Sequence, residues 1–329
     1  MNSQVRKVLL TGGAGFIGSH VAEALLHRGT QLTLVDNLDD FYSPVAKSVN
    51  LEEIKRVGRY KFVQLDIRRL RNLRAIVKAA SPDAIIHLAA RAGVRPSIEQ
   101  PIKYEDTNVK GTINLLELCR EFGIGKFIFG SSSSVYGETN RVPFSEDDAT
   151  LRPISPYAAS KLAGEMFCHA YAHLFKIQIV CLRFFTVYGP RQRPDLAIRK
   201  FTSLLEAGKP VPVFGDGSSG RDYTHVDDIV AGVLAALDYE PESHAGVPFE
   251  VFNLGNSHPV KLIELLQLLE HATGRNAVLD REPLQPGDVS LTWANISKAT
   301  RLLGYRPATP LEKGLKQFVA WHRSALSRQ

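Results

Sequence analysis

Cysteine is scarce in this sequence, and long hydrophobic runs are absent. The 329 residues include only three cysteines, Cys119, Cys168 and Cys181, which lie far apart and without the close pairing of zinc ligands. We therefore expect no metal site and assign the cysteines to the core. No run approaches the roughly 18 consecutive apolar residues of a membrane span, and the N-terminus lacks a signal-peptide pattern. The sequence predicts a cytoplasmic protein without a membrane partner.

Concentrated positive charge is also missing. The formal net charge is only +6, and the lysines and arginines are scattered along the chain. This argues against nucleic acid as a partner and favours a small anionic molecule. With 44% hydrophobic and 22% charged residues, the composition is that of an ordinary globular protein. The length allows a dinucleotide-binding domain and a smaller second lobe.

Short β-rich segments alternate with helical patterns over the first half of the chain. The strand candidates are KVLLTG, LTLVD, KFVQLD, DAIIHLAA, KFIFGS and IQIVCLRFF. The segments between them carry apolar residues at helical spacing, as in LRNLRAIVKAA. This alternation predicts an α/β fold with a Rossmann-type doubly wound parallel sheet. We expect residues 1–185 to form the dinucleotide-binding domain, to which some later segments can return, and residues 186–329 to form mainly a smaller α/β substrate lobe.

A glycine-rich turn joins the first strand to the first helix. In LLTGGAGFIGSH, Gly12, Gly15 and Gly18 allow a tight turn and a close approach to a pyrophosphate, which the helix N-terminus attracts. The next strand ends at Asp36, 18 residues beyond Gly18, where a carboxylate accepts hydrogen bonds from an adenosine ribose. The same carboxylate repels a ribose 2′-phosphate, so the pattern predicts NAD rather than NADP.

Asp66 and Ile67 end the third strand candidate, at the same predicted edge of the sheet. There Asp66 would hold the adenine amino group and Ile67 would pack on the ring. Alternatively, the two residues simply terminate the strand. The sequence alone does not distinguish these two interpretations.

The segment SPYAASK predicts a helix start with a reactive pair on its first turns. Ser155 is a favourable N-cap and Pro156 suits the first turn, so Tyr157 and Lys161 are four residues apart and face the same way. A free tyrosine has a pKa of about 10 and is a poor base at neutral pH. A nearby ammonium and an oxidised nicotinamide both favour the phenolate. The pair is therefore a candidate proton carrier.

Four consecutive hydroxyls follow the fifth strand candidate. KFIFG runs directly into SSSSVYG, which places the serines at the carboxyl end of a sheet strand. Doubly wound folds bind their ligands at that edge. The serines are therefore predicted to form the floor of an active site rather than a linker.

Three motifs in this order, TGGAGFIG, SSSSVYG and YAASK, resemble those of the extended short-chain dehydrogenase/reductase superfamily of nucleotide-sugar epimerases and dehydratases. The resemblance extends over essentially the whole chain. It implies that Ser132, Tyr157 and Lys161 are catalytic, and that homodimers form through helices at about 104–122 and 157–175. The NAD-binding residues expected, together with Tyr157 and Lys161, are Gly12, Gly15, Phe16, Ile17, Gly18, Asp36, Asn37, Asp66, Ile67, Leu88, Ala89 and Ala90.

The residues before Val135 indicate which reaction such a protein performs. By the resemblance, the tyrosine takes a proton from the sugar 4-hydroxyl while the C4 hydride passes to NAD, and the fate of the 4-keto intermediate decides the class. Related dehydratases carry Asp and Glu at the two positions before this valine, and UDP-glucuronate decarboxylases carry Glu directly before it. This chain has Ser133 and Ser134, whose hydroxyls cannot act as general acids or bases near neutral pH. Epimerisation is the route that remains.

Two further segments suggest the sugar. RFFTVYGPRQRPDLA and AGVRPS resemble UDP-glucuronate 4-epimerases more closely than UDP-glucose 4-epimerases, which usually carry Asn in place of Thr186. A hexuronate carboxylate would be bound by the hydroxyls of Ser133, Ser134 and Thr186. Arg193 or Arg95 would supply positive charge nearby. Alternatively, both arginines contact only the pyrophosphate.

The resemblance also assigns residues to the nucleotide. Arg221 in GRDYTHVDD corresponds to a pyrophosphate clamp, Phe214 in VPVFGDG to a wall for uracil, and Asp288 in QPGDV to a ribose partner. Thr292 stands where some members have a bulky Tyr that excludes N-acetyl groups. Because a small residue leaves room there, UDP-N-acetylhexosamines stay among the candidate substrates.

The sequence therefore predicts NAD-dependent C4 epimerisation of a UDP-sugar by a homodimer, with UDP-glucuronate to UDP-galacturonate as the best match. One alternative is a UDP-glucose or UDP-N-acetylglucosamine 4-epimerase that uses the same catalytic residues. The others are a UDP-glucuronate decarboxylase and a noncatalytic NAD-binding protein. The intact pair of Tyr157 and Lys161 argues against the last.

Overall fold

A parallel sheet of seven strands forms the central layer of the molecule. The structure, a computed structural model, describes residues 6–138, 141–148, 151–240, 246–283 and 289–326. In chain order the strands of this sheet are β1 (Lys7–Thr11), β2 (Gln31–Asp36), β3 (Lys61–Gln64), β4 (Ala84–His87), β5 (Lys126–Ser132), β6 (Gln178–Phe184) and, after three strands elsewhere, β10 (Phe249–Leu254). Their spatial order is β10-β6-β5-β4-β1-β2-β3, and every neighbouring pair is parallel.

Helices cover both faces of this sheet and build a separate hydrophobic core on each. One face is covered mainly by α1 (Phe16–His27), α2 (Pro44–Val57), α9 (Val226–Asp238) and α11 (Ser297–Leu303). The other face is covered by α3 (Leu70–Ala80), α6 (Gly111–Phe122) and α7 (Pro156–Phe175). Before α6 lie the short helices α4 (Val94–Glu99) and α5 (Pro101–Tyr104) and a π-helical segment, Glu105–Lys110. The predicted doubly wound α/β fold is confirmed.

A smaller lobe with its own core follows β6. Its strands are β7 (Thr186–Tyr188), β8 (Val211–Phe214), β9 (Gly220–His225), β11 (Pro259–Lys261) and β12 (Leu279–Glu282), and its helices are α8 (Ala197–Glu206), α10 (Leu262–Thr273) and α12 (Leu311–Leu326). The strands form a sheet of three, β11-β9-β7, and a sheet of two, β12-β8. Phe201, Leu265 and Phe318 lie in the core between these elements. Although they follow residue 186, β10 belongs to the central sheet and α9 covers one of its faces.

Two local differences separate the structure from the sequence expectations. β3 ends at Gln64, so Asp66 lies two residues beyond the strand that was expected to include it. Helix α2 was not expected at all, although Ser43 and Pro44 form a typical helix start. No helix within the described ranges is both long enough and apolar enough to cross a membrane.

Candidate active site

A cavity of about 1120 Å³ lies at the carboxyl ends of the central strands, where the smaller lobe faces them. This volume exceeds the roughly 300–1,000 Å³ of a pocket for one small ligand. The residues that the sequence assigned to cofactor or substrate and that line this cavity are Gly12, Gly15, Phe16, Ile17, Gly18, Asp36, Asn37, Asp66, Ile67, Leu88, Ala89, Ala90, Arg95, Ser132, Ser133, Ser134, Tyr157, Lys161, Thr186, Arg193, Phe214 and Arg221. Asp288 lies outside the described residues.

The glycine turn after β1 forms a cradle that side chains would fill. Gly12 has a φ of +73°, and a Cβ atom there would lie 2.6 Å from the backbone nitrogen of Ala89. A Cβ atom at Gly18 would lie only 2.1 Å from the carbonyl oxygen of Gly12. Both positions therefore require glycine. The cradle leaves backbone N–H groups at the start of α1 open to the cavity, which fits a dinucleotide pyrophosphate.

Asp36, at the end of β2, is buried beside this cradle. Its carboxylate accepts hydrogen bonds from the backbone N–H groups of Ala14, at 3.1 Å, and Leu38, at 2.9 Å. Burial raises the pKa of Asp36, whereas the Leu38 hydrogen bond and the charge of Lys47 oppose that rise. The fixed carboxylate faces the cavity and fits an adenosine ribose. Together, the cradle and Asp36 suit NAD.

Asp66 is already engaged by protein groups. Arg68 donates to both of its carboxylate oxygens, at 2.9 and 2.7 Å, and Asn37 donates at 3.2 Å. The hydrogen bonds from Arg68 lower the pKa of Asp66 to about 2, although burial opposes them. Asp66 still lines the cavity. The role as an adenine ligand stays a prediction, whereas the alternative of a strand terminus is not what the structure shows, because β3 ends at Gln64.

The serines after β5 form a short turn of hydroxyls. Ser132 caps the 3₁₀ turn Ser133–Tyr136, and its Oγ accepts a hydrogen bond from the backbone N–H of Ser134 at 3.2 Å. The same hydroxyl donates to Oγ of Ser134 at 3.1 Å. The turn directs three hydroxyl side chains into the cavity wall. These groups can donate and accept hydrogen bonds but cannot carry charge near neutral pH.

Helix α7 begins at the cavity and holds the reactive pair. Ser155 caps it by accepting a hydrogen bond from the backbone N–H of Ala158 at 3.2 Å. Nζ of Lys161 donates to the carbonyl oxygen of Gly130, in β5, at 2.6 Å. Burial lowers the pKa of Lys161 to about 8, and the carboxylate of Glu165 opposes that decrease. The negative charge of Glu165 therefore helps to keep Lys161 protonated.

Tyr157 lines the cavity together with Ser132. Burial raises its pKa, whereas the hydrogen bond with Ser132 and the positive charge of Arg193 lower it. The cation that acts on this phenol is thus Arg193, whereas Lys161 is directed towards Gly130. The sequence argument attributed that effect to Lys161 and to the nicotinamide, and it did not include Arg193. The difference arises because Arg193 comes from a loop distant in sequence.

Arg193 is held by two groups that also line the cavity. Its Nε and Nη2 donate to the two carboxylate oxygens of Asp195, at 3.0 and 2.8 Å. The guanidinium also lies over the ring of Phe41, 5.4 Å from its centre. Asp195 neutralises much of the charge that the sequence argument assigned to the sugar carboxylate. Neither Asp195 nor Phe41 was singled out from the sequence.

The expected nucleotide residues meet across the two lobes. The guanidinium of Arg95, in α4, lies 4.7 Å from the ring centre of Phe214, at the end of β8. One face of the expected uracil wall is therefore covered by an arginine. Arg221 lines the same region and donates to the carbonyl oxygen of Gly220 at 2.9 Å.

Thr292 was expected to control the size of the sugar pocket, but it is not part of the cavity wall. The residue is buried, and its Oγ1 accepts a hydrogen bond from the backbone N–H of Asp222 at 3.2 Å. Its side chain supports β9 instead. The position of Thr292 therefore gives no support for N-acetylhexosamines as substrates.

The segment after β2 supplies cavity residues that sequence reasoning missed. Tyr42 and Lys47 both line the cavity, and the ammonium of Lys47 lies 4.8 Å from the ring centre of Tyr42. The hydroxyl of Tyr42 is buried without a partner and lies 3.9 Å from where a Cβ atom on Gly15 would be. The start of α2, marked by Ser43 and Pro44, was the signal that could have placed these residues near the cradle.

Comparison with known proteins agrees with this architecture. The sequence profile of the family described as GDP-mannose 4,6 dehydratase matches residues 9–318. A UDP-glucuronate 4-epimerase from Thermodesulfobacterium geofontis (strain OPF15) is 42% identical over 316 residues, which span 96% of this chain and 95% of that protein. Sequence similarity thus extends across both lobes.

Two solved structures superpose on nearly the whole chain. The UDP-glucuronic acid 4-epimerase from Bacillus cereus, in complex with UDP-glucuronic acid and NAD, has a TM-score of 0.89 at 36% identity and covers 97% of this chain and 99% of that one. The UDP-glucose 4-epimerase from Thermotoga maritima, with UDP-glucose, has a TM-score of 0.88 at 34% identity with the same coverage. The chain therefore belongs to the GDP-mannose 4,6-dehydratase family, within the extended short-chain dehydrogenase/reductase superfamily of nucleotide-sugar epimerases and dehydratases.

Proposed function

We propose that this protein is an NAD-dependent UDP-glucuronate 4-epimerase, which interconverts UDP-glucuronate and UDP-galacturonate through a 4-keto intermediate. The observation that carries the proposal is the meeting, in one cavity, of Ser132, Tyr157 and Lys161 with a dinucleotide cradle and a turn of serines. The relatives from Thermodesulfobacterium geofontis and Bacillus cereus, both named for this activity, support it.

The cofactor site consists of residues that bind rather than react. The backbone N–H groups at the start of α1, of Phe16 and Ile17, would hold the pyrophosphate, and Asp36 would accept hydrogen bonds from the adenosine ribose. Leu88, Ala89 and Ala90 line the cavity beyond them. NAD bound by these residues would supply reversible hydride transfer at C4 of the sugar.

Proton transfer is assigned to Tyr157. The phenolate takes the proton of the sugar 4-hydroxyl and later returns it, so no net acid or base is consumed. Ser132, which lines the same cavity and lowers the pKa of the phenol, would orient the 4-oxygen. The positive charge of Arg193 lowers the pKa of Tyr157 against the effect of burial. We propose that the ammonium of Lys161, one turn further along α7, adds to this effect when substrate and NAD are bound.

The carboxylate of the sugar would lie against neutral donors. Ser133, Ser134 and Thr186 line one part of the cavity, and Arg193 lines the same cavity. Because Ser133 and Ser134 replace the acids of the related dehydratases, elimination lacks its proton carrier at these positions. A 4-keto hexuronate is a β-keto acid that readily loses carbon dioxide, and the absence of a carboxylic acid next to Val135 disfavours that loss as well.

A second candidate, a UDP-glucose 4-epimerase, is favoured by one specific observation. Asp195 neutralises Arg193 in the cavity, which would suit an uncharged hexose. Incubation with NAD and, separately, UDP-glucuronate, UDP-glucose and UDP-N-acetylglucosamine tests the choice by product chromatography. We expect turnover of UDP-glucuronate to UDP-galacturonate at the highest kcat/KM. Turnover of UDP-glucose with none of UDP-glucuronate would support the second candidate and overturn the first.

A homodimer is part of the proposal. Helix α7 exposes Met166, at 53%, and Leu174, at 65%, while Ile102 on the adjacent α5 is 79% exposed. An apolar surface of this kind is typical of an interface.

The cytoplasm is the proposed compartment. The three cysteines are buried free thiols, which supports this proposal.

A further inference from the structure

Helix α7 carries a third ionisable side chain in line with Tyr157 and Lys161. Glu165 lies four residues after Lys161 and eight after Tyr157, and its side chain is completely buried. Glutamate is almost never fully buried unless it is paired. Its position beneath the reactive pair suggests a role in the site.

Glu165 joins α7 to the ends of two central strands. Its Oε1 accepts hydrogen bonds from Oγ of Ser131, at 2.5 Å, and from Nε of Arg183, at 3.0 Å. Its Oε2 accepts from Nη2 of Arg183 at 2.8 Å. Ser131 and Arg183 are themselves partners in the β5–β6 pairing. One carboxylate therefore fixes a helix against two neighbouring strands.

Together, the three α7 residues contact three consecutive residues of β5. Lys161 donates to the carbonyl oxygen of Gly130, Glu165 accepts from Oγ of Ser131, and the next residue, Ser132, lowers the pKa of Tyr157. Hydrogen bonds thus attach Gly130 and Ser131, the two residues before Ser132, to α7. A shift of Ser131 would move Ser132 relative to the phenol.

The charge of Glu165 also acts on its neighbour. Burial lowers the pKa of Lys161 to about 8, and Glu165 is the largest influence in the opposite direction. Arg183 balances the carboxylate and lies over the ring of Tyr136, 4.7 Å from its centre. Glu165 therefore combines a geometric contact with an electrostatic one.

We propose that Glu165 is a positioning residue for epimerisation: through Ser131 it holds the strand end that carries Ser132 against the helix that carries Tyr157 and Lys161. This inference rests on the proposed function and deepens it. Glu165 does not touch the sugar, and it acts through the residues that do.

The first test is Glu165→Gln in the full chain loaded with NAD, with kcat and KM measured between about pH 6 and about pH 10. We expect kcat at neutral pH to fall about tenfold or more with KM changed by less than about twofold. The alkaline decline of kcat should move to lower pH, because Lys161 loses the negative charge that supports its ammonium. If Glu165 only stabilised the fold, the alkaline decline of kcat, here called the alkaline limb, would stay at the same pH.

Since Glu165→Gln leaves Arg183 buried without a counter-charge, two further variants are needed. The double variant Glu165→Met, Arg183→Met removes both charges, so we expect a melting temperature near that of the parent with kcat still low and the alkaline limb still shifted. Ser131→Ala removes the hydrogen bond to Glu165 but keeps both charges, so it should lower kcat by about threefold or more without moving the alkaline decline of kcat. Glu312→Gln, which affects a surface ion pair with Lys316, is the matched control. It should change neither kcat nor the pH at which kcat declines.

Parental kcat in the double variant or in Ser131→Ala, or an unmoved alkaline limb in Glu165→Gln, would overturn the proposal. Turnover of UDP-glucuronate by the parent tests the proposed function on its own. If the parent turns over a different UDP-sugar, the same profiles are measured with that sugar. The role of Glu165 is then decided separately from the identity of the substrate.

Discussion

At the scale of single residues, burial acts in opposite directions on the two reactive groups. It raises the pKa of Tyr157 and lowers that of Lys161 to about 8, because a low-dielectric setting disfavours the phenolate and the ammonium alike. Ser132 and Arg193 oppose the effect at the tyrosine, and Glu165 opposes it at the lysine. The charge states that the reaction needs are therefore set by the surrounding residues.

Tyr157→Phe removes the proposed proton carrier. We expect kcat for UDP-glucuronate to fall by about 10²- to 10⁴-fold, the usual range for loss of a general acid–base group. The fold should be retained, as judged by an unchanged circular dichroism spectrum. Tyr60→Phe, which removes a hydroxyl bonded to the carbonyl oxygen of Leu51 outside the cavity, is the control and should keep parental kcat. A Tyr157→Phe variant with near-parental kcat would refute the assignment.

Lys161→Met should stabilise the fold while it abolishes epimerisation. The decrease of the Lys161 pKa from 10.5 to about 8 corresponds to about 3 kcal/mol against the folded state at neutral pH. Methionine avoids this cost but also loses the hydrogen bond to Gly130. We expect the free energy of unfolding at about pH 7 to rise by about 1–3 kcal/mol.

The pH dependence of that gain identifies its cause. Because the folded pKa of Lys161 lies below the unfolded value, the parent becomes more stable as the pH rises from about 8 to 10.5. The advantage of Lys161→Met should therefore shrink over that window. Urea unfolding of both proteins at about pH 7 and about pH 10 measures it. An equal gain at both values would show that the buried charge is not responsible.

Asp195→Asn should increase the preference for a charged sugar. An amide keeps an acceptor for Nε of Arg193 but removes the charge that neutralises the guanidinium. We expect the ratio of kcat/KM for UDP-glucuronate to that for UDP-glucose to rise by about threefold to tenfold. Asp238→Asn, at a surface pair with Arg28, is the control. An unchanged or lower ratio for Asp195→Asn would show that Arg193 does not bind the sugar carboxylate.

At the scale of secondary structure, elements with a clear apolar period were predictable and others were not. LRNLRAIVKAA predicted α3 with the same bounds that the structure shows, because its hydrophobic face is pronounced. Helix α2 buries Lys47, Asn50 and Ile54, only one of which is apolar, so hydrophobic periodicity could not reveal it. Sequence reasoning therefore also missed Lys47, which lies on α2 and lines the cavity.

Some candidate site residues could likewise be predicted from the sequence, and others could not. Residues that end strands of the central sheet, such as Asp36 and Ser132, were predictable as cavity residues because parallel strands end at one edge. Asp195 and Phe41 come from loops whose path depends on tertiary packing, which local sequence does not encode. Thr292 was misplaced for a related reason, because a short polar side chain can support a strand as readily as it can line a pocket.

The exposed face of α7 gives a prediction at this scale. A Met166→Asp, Leu174→Asp double variant places two charges in the proposed interface, so light scattering should report the monomer mass where the parent reports a dimer. Val278→Asp changes an exposed apolar residue of the smaller lobe, 61% exposed, and should leave the dimer intact. A parent that is monomeric, or a double variant that stays dimeric, would contradict the proposed interface.

At the scale of the whole molecule, the site depends on both lobes. The larger lobe, built around the central sheet, contributes the cradle, the serines and the start of α7. The smaller lobe contributes Phe214 and Arg221. Arg95 and Phe214 make a direct contact between them. Arginines on both sides of the cavity suit a UDP-sugar, whose pyrophosphate is anionic. After β9 of the smaller lobe, the chain returns to the central sheet, where α9 packs on one face and β10 pairs with β6. The two lobes are therefore connected by more than one crossing of the chain.

One measurement tests the central claim most directly: proton NMR of the NAD-loaded enzyme acting on UDP-glucuronate in D₂O. Because the hydride removed from C4 returns to C4, the account predicts UDP-galacturonate that retains protons at C4 and C5, with no loss of carbon dioxide. A UDP-pentose, or deuterium at C4 or C5 of the product, would contradict it.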